Sequence, residues 1–118
     1  SSTSLLRPET VKLMHTNLLP DGKTIQEVGV DGFSEISGPG AGFGLGVSVL
    51  TDPHVSPGGQ RSSMGEFGWG GLASTWFFID PVKNLSCIFF SQVIPSTKVN
   101  NRTQLRWLTH RLHEELSH

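Results

Sequence analysis

The sequence predicts an α+β fold in which an antiparallel sheet meander of three or four strands carries a C-terminal helix packed on one face. Three observations predict it. Apolar residues recur at helical spacing near both ends, over Val11, Met14 and Leu18 and over Leu105, Leu108, Leu112 and Leu116. Between them lie the strand-like runs "STWFFID" and "LSCIFFSQV", rich in aromatic and β-branched residues and bounded by turn residues. At 118 residues the chain has the length of one small domain around one core.

The elements follow in order. "RPETVKLMHTNLLPDG" reads as a short helix: Pro8 suits the first helical position, Glu9 complements the dipole, and Pro20-Asp21-Gly22 ends it. Asp21 to Gly42 is polar and turn-rich, a long loop with at most one short strand. "FGLGVSVL" alternates Phe43, Leu45, Val47 and Val49 against Gly44, Gly46 and Ser48, the period of one half-buried strand with a flat glycine face. "TDPHVSPGGQRSS" is a surface connection. The meander then runs through "GEFGWGG", "STWFFID" and "LSCIFFSQV", with "PVKN" as the tight turn between the last two.

Trp76 to Ile79 and Ile88 to Phe90 are apolar on consecutive positions, so both faces of their strands should be covered. Arg102 to Ser117 is the final helix, whose leucine stripe is expected to pack on the sheet while His110, His113 and Glu114 point elsewhere. Trp107 projects nearly opposite that stripe, either as a singly exposed aromatic or as a contact with protein outside this chain. The helix near Val11 is too small to cover the second sheet face. An exposed apolar surface, and with it marginal stability or association, is therefore expected.

Composition excludes several functions. Charged residues are 16% and nearly balanced, 9 basic against 10 acidic, so no long-range field favours nucleic acid or an anionic membrane. The single cysteine, Cys87, sits in an apolar run as a small hydrophobe, and one chain with one cysteine forms no internal disulfide. No apolar run has the length of a membrane span, and "SSTSLLRPET" lacks the charged and apolar regions of a signal peptide. It also lacks an initiator Met and reads as though cut from something longer. Asn84 and Asn101 begin Asn-x-Ser/Thr triplets, which arise often by chance. His54, Ser62, Ser63 and Glu66 offer the residue types of a triad, but nothing in their spacing places them together. His110, His113 and Glu114 share a helix face, better read as solvated than as a metal site. No cofactor is implied.

"LLRPETVKLM", "GFGLGVSVLTDP", "GEFGWGGLASTWFFIDPVKNL" and "FFSQVIP" followed by the terminal helix occur in an order that resembles the serine β-lactamase-like hydrolases, in particular their carboxylesterase and transesterase branch. The resemblance implies that residues 1–118 correspond to the C-terminal part of a β-lactamase or penicillin-binding-protein-like fold, with the catalytic N-terminal part absent. Trp69, Gly70 and Gly71 match the family's Trp-Gly-Gly, which stands where other members have Lys-Thr-Gly, and are implied to contact substrate. The backbone N–H of Leu72 is implied as one of two oxyanion-hole donors.

The physics agrees with that placement. Such a donor must sit about 3 Å from the developing charge, and positions without a β-carbon allow the approach. Gly70 and Gly71 are thus expected to admit a substrate, and Gly65 and Gly68 to relieve twist or crowding. Trp69, where it is not simply a core or rim aromatic, replaces the lysine that would attract a substrate carboxylate, which favours neutral esters over β-lactams. The chain departs from the family in lacking Ser-x-x-Lys and any tyrosine, and Ser74 stands where many relatives have glycine.

Without an activated nucleophile, acyl transfer cannot proceed, so the chain alone is expected to be inactive. The implied function is that of the C-terminal portion of a serine hydrolase or transesterase acting on small-molecule esters through an acyl-enzyme. The missing N-terminal part of the fold, or a partner chain, then supplies nucleophile and base. The alternative is a non-catalytic binding or interaction module, with Trp69, Trp76 and Trp107 as contact groups.

Overall fold

Five strands, β1 (Ala41–Phe43), β2 (Ser48–Leu50), β3 (Phe67–Gly70), β4 (Trp76–Asp80) and β5 (Leu85–Phe89), pair in chain order as one open antiparallel sheet. Two short helices, α1 (Pro8–Met14) and α2 (Ile25–Val28), precede it, and α3 (Asn101–Leu116) follows. The computed structural model describes residues 4–29, 39–56, 60–98 and 101–117. The α+β class and the terminal helix are as the sequence predicts. The strand number is five because "FGLGVSVL" is a hairpin and not one strand: Gly44 N–H bonds Val47 C=O at 2.8 Å, and Gly46 turns the chain with φ 85°. Its alternation is that of two strand ends and a turn.

Register defines two unlike faces. Gly70 lies opposite Trp76, Gly68 opposite Phe78, and Phe78 opposite Cys87, so these residues share one face, and α3 covers it. Phe78 is 1% exposed, with the His110 ring stacked on it at 5.1 Å and the Arg106 guanidinium 6.0 Å from both the Trp76 and Phe78 rings. The other face carries Trp69, Phe77 and Ile88 as cross-strand neighbours. His15 stacks on Phe67 there at 4.4 Å, but Ile88 is 68% exposed. The expectation of two covers is met on one side only.

α1 stops at Met14, earlier than its apolar spacing suggests. The next residues are drawn against β1: Leu45 N–H bonds Met14 C=O at 2.9 Å, Leu18 N–H bonds Phe43 C=O at 2.8 Å, and Asn17 Oδ1 accepts from Phe43 N–H at 3.0 Å. A side-chain amide, one backbone carbonyl and one backbone N–H thus close the outer edge of β1 and the turn after it. α2, inside the expected loop, is held by a capping box in which Thr24 and Glu27 satisfy each other's backbone N–H.

The leucine stripe of α3 is not its packing face. Leu108 and Leu112 are nearly half exposed and Leu116 is 84% exposed, whereas His110 is fully buried. The sheet dictates this choice: Glu66 and Asp80 are buried beneath the helix, and an apolar face laid over them would leave two carboxylates without partners. Trp107 finds its neighbours in its own chain, with the guanidiniums of Arg61 and Arg111 at 5.5 and 5.3 Å from its ring.

Two substitutions on α3 separate these faces. Leu112→Lys should change the urea-unfolding free energy by less than about 0.5 kcal/mol, as at other surface sites. His110→Leu, which improves the helix's amphipathic pattern on paper, should cost about 3–5 kcal/mol because it removes one partner of a buried carboxylate.

Candidate active site

β3 ends in a tight turn. Gly71 N–H donates to Thr75 C=O at 2.8 Å, and Ser74 N–H donates to Gly71 C=O at 3.1 Å, which places Leu72 and Ala73 at the two central positions before β4. Ser74 holds a left-handed φ of 65°, and its buried hydroxyl donates to Val93 C=O at 2.6 Å. Ser91 Oγ donates to Ala73 C=O at 2.6 Å. These side chains stitch the turn to the segment after β5. A serine thus occupies the glycine-like position because a hydrogen bond offsets its backbone strain.

Leu72 N–H makes no hydrogen bond among the described residues, and the Leu72 residue is 70% exposed. Trp69 is half-buried on the open sheet face, edge-on to Phe43 with ring centroids 5.2 Å apart. A β-carbon at Gly70 would lie 2.8 Å from Cζ and Nη2 of Arg102, and one at Gly71 would lie 2.6 Å from Thr75 Oγ1. The space where their side chains would stand is taken by the chain's own Arg102 and Thr75. Arg102 Nη2 then donates to Gly71 C=O at 2.7 Å.

A second cluster lies under α3. His110 Nε2 is 2.7 Å from Glu66 Oε2 and 3.2 Å from Ser62 Oγ, and Arg106 Nε is 2.9 Å from Glu66 Oε1. Lys83 Nζ stands 3.4 Å from His110 Nδ1. Lys83 thus stands at one ring nitrogen of His110 and Glu66 at the other. Of the residue types expected for a triad, Ser62 and Glu66 meet, with His110 as their histidine. His54 lies in an exposed turn, and Ser63 N–H binds Asp80 Oδ2 at 3.0 Å. A triad needs hydroxyl and carboxylate on opposite ring nitrogens; here both address Nε2, so Ser62 is not activated.

Glu66, Asp80 and His110 offer atoms within 4.8 Å of one another, a donor set that suits a divalent cation by type. The positions around it are already held by cations, Arg106 on Glu66 and Lys83 on His110, so the set is a charge-balanced polar core. The expected patch of His110, His113 and Glu114 divides: His110 is buried, and Glu114 pairs with Arg61 and Lys83. Burial pushes the Asp80 carboxyl up, but the Lys83 N–H and the Ser63 hydroxyl and N–H, with nearby His110, outweigh it and hold it below the usual aspartate range.

No family model matches the chain. Two proteins of Mycobacterium tuberculosis are similar to it: "Uncharacterized protein MT1414" of strain CDC 1551 / Oshkosh and "Protein Rv1367c" of strain ATCC 25618 / H37Rv. Each is 36% identical over 104 residues, which covers 81% of this chain and 23% of the relative. The chain thus spans about a quarter of the length of the curated relatives it matches.

Two outcomes test this geometry. Asp80 has a depressed native pKa, so its contribution is complete above its ordinary value of about 3.9 and is lost as pH falls through the lowered one. Asp80→Asn should therefore unfold more readily at neutral pH and show a flatter acid limb in stability measured between about pH 6 and 2. At the turn, Ser74→Ala keeps the strained φ and loses the hydrogen bond, so in urea titrations it should cost about 1 kcal/mol more than Ser74→Gly, which relieves the strain.

Proposed function

We propose that this chain is the C-terminal portion of a serine hydrolase or transesterase of β-lactamase-like fold, acting on esters through an acyl-enzyme. One observation carries the reading: directly after Trp69-Gly70-Gly71, the Leu72 N–H is unpaired among the described residues, at a turn whose side chain projects into solvent. An oxyanion donor must be free of the sheet ladder and fixed before substrate arrives. In the proposed reaction a serine oxygen from another part of the protein attacks the ester carbonyl, and the Leu72 N–H stabilises the negative charge that develops on the carbonyl oxygen. The alcohol leaves, and water or a second alcohol takes the acyl group. Trp69 contributes an apolar wall without charge, which suits a neutral ester.

The alternative, a non-catalytic interaction module, draws on the uncovered apolar residues, Ile88 and Phe90 beside the sheet and Leu112 and Leu116 on α3.

The test is hydrolysis of p-nitrophenyl acetate by the chain alone and by the chain combined with an N-terminal complement carrying Ser-x-x-Lys. Turnover only in the combined sample, faster with the ester than with a chromogenic cephalosporin, is the expected result. Binding of the complement with no turnover favours the interaction module.

A further inference from the structure

The peptide linking Gly71 to Leu72 carries two groups that point in opposite directions, the Gly71 carbonyl and the Leu72 N–H. Its carbonyl end is held twice, by Ser74 N–H at 3.1 Å and by the Arg102 guanidinium at 2.7 Å. We propose that Arg102 is a positioning residue that orients and polarises the Leu72 N–H for an oxyanion; this rests on the reading of that amide as the oxyanion donor.

Three features carry the assignment. The bond from Arg102 is charge-assisted, the strong kind, and it fixes the peptide plane against rotation about the turn. Electron density drawn toward the carbonyl oxygen by a cation leaves the amide nitrogen poorer and its hydrogen a better donor, the cooperative strengthening of hydrogen bonds in a chain. The approach is built into both elements: Arg102 projects from the first turn of α3, and Gly70 has no β-carbon where the guanidinium lies, since one would stand 2.8 Å from Cζ. Thus Gly70, two residues before the proposed donor, admits a side chain of the protein itself, and that side chain grips the donor's own peptide.

An arginine that only braced the hairpin would stabilise the fold without altering the amide. The two roles are separated by readouts on Leu72. In Arg102→Met the Gly71 carbonyl ¹³C and Leu72 amide ¹⁵N resonances of the chain should both move upfield as the hydrogen bond is lost. Gly70→Ala, which displaces the guanidinium while keeping its charge, should reproduce the shift, and Arg102→Lys should restore part of it. In the chain combined with the Ser-x-x-Lys complement, Arg102→Met should lower kcat on p-nitrophenyl acetate about ten- to a hundredfold with KM within about twofold, short of the ~10²–10³ loss for removing an oxyanion donor outright. Resonances that stay in place overturn the assignment, and so do resonances that move with kcat unchanged. Should the combined wild-type sample turn over no ester while the resonances move as stated, it is the hydrolase reading that fails, and the orienting and polarising of the amide by Arg102 stands.

Discussion

The structure turns on one buried carboxylate. Glu66 enters β3 on the face that α3 covers, is 2% exposed, and is met by Arg106 on one oxygen and His110 on the other. A carboxylate in such a place is costly unless both oxygens are partnered, so the helix that supplies the partners has little freedom to rotate or slide. Arg102, Arg106 and His110 follow one another at intervals of four and therefore form one stripe on the helix surface. Setting Arg106 and His110 on Glu66 also sets Arg102 on Gly70. The polar pairing under the helix and the anchored turn at the end of β3 are two ends of one registration.

Such pairings contribute less to net stability than to uniqueness, because the desolvation of each ion offsets most of the attraction. What they do here is specify. Glu66, just before β3, and Gly70, at its end, lie on the same face, and long side chains from α3 reach down to both, Arg106 to Glu66 and Arg102 to Gly70. Leucines in those places would fill the volume but leave Glu66 and Asp80 without partners. The leucines face outward as a consequence, and the apolar residues of the opposite sheet face stay partly in water.

Much of this was legible before any coordinates. β3, β4, β5, the "PVKN" turn and the extent of α3 follow from local pattern, since strand alternation, turn residues and helical spacing are properties of neighbours in sequence. α2 was legible too, through the Thr24-x-x-Glu27 box, but its four residues lie in a glycine-rich stretch that reads as loop. The β1–β2 hairpin was masked because glycine falls where both a flat strand face and a turn would place it. The packing face of α3 was missed for a different reason. The helix has two stripes, leucine and Arg/His, and hydrophobicity favours the first unless the buried acids of the sheet are known. The signal was present in Glu66, an acid at the entry to a strand and on the same face as Gly68 and Gly70. Arg102 could not be found from spacing near the Trp-Gly-Gly triplet, because it joins the site only through the helix's register.

That register also decides what the turn after β3 can do. An N–H at the first central position of a β-turn has no partner within the turn, so what the Leu72 amide can do depends on how its peptide is held. What sets this turn apart is the bonding of its carbonyls: Gly71 is held by Ser74 and Arg102, and Ala73 by Ser91, with Ser74 itself tied to Val93. A loop amide that wandered would pay for ordering at the moment charge developed on a bound carbonyl, whereas one whose plane is already fixed would not. The distance from a routine hairpin to an electrostatic device is therefore measured by how many groups hold the peptide's other end. At Gly71 one of them is a cation, brought there by the same helix that neutralises Glu66.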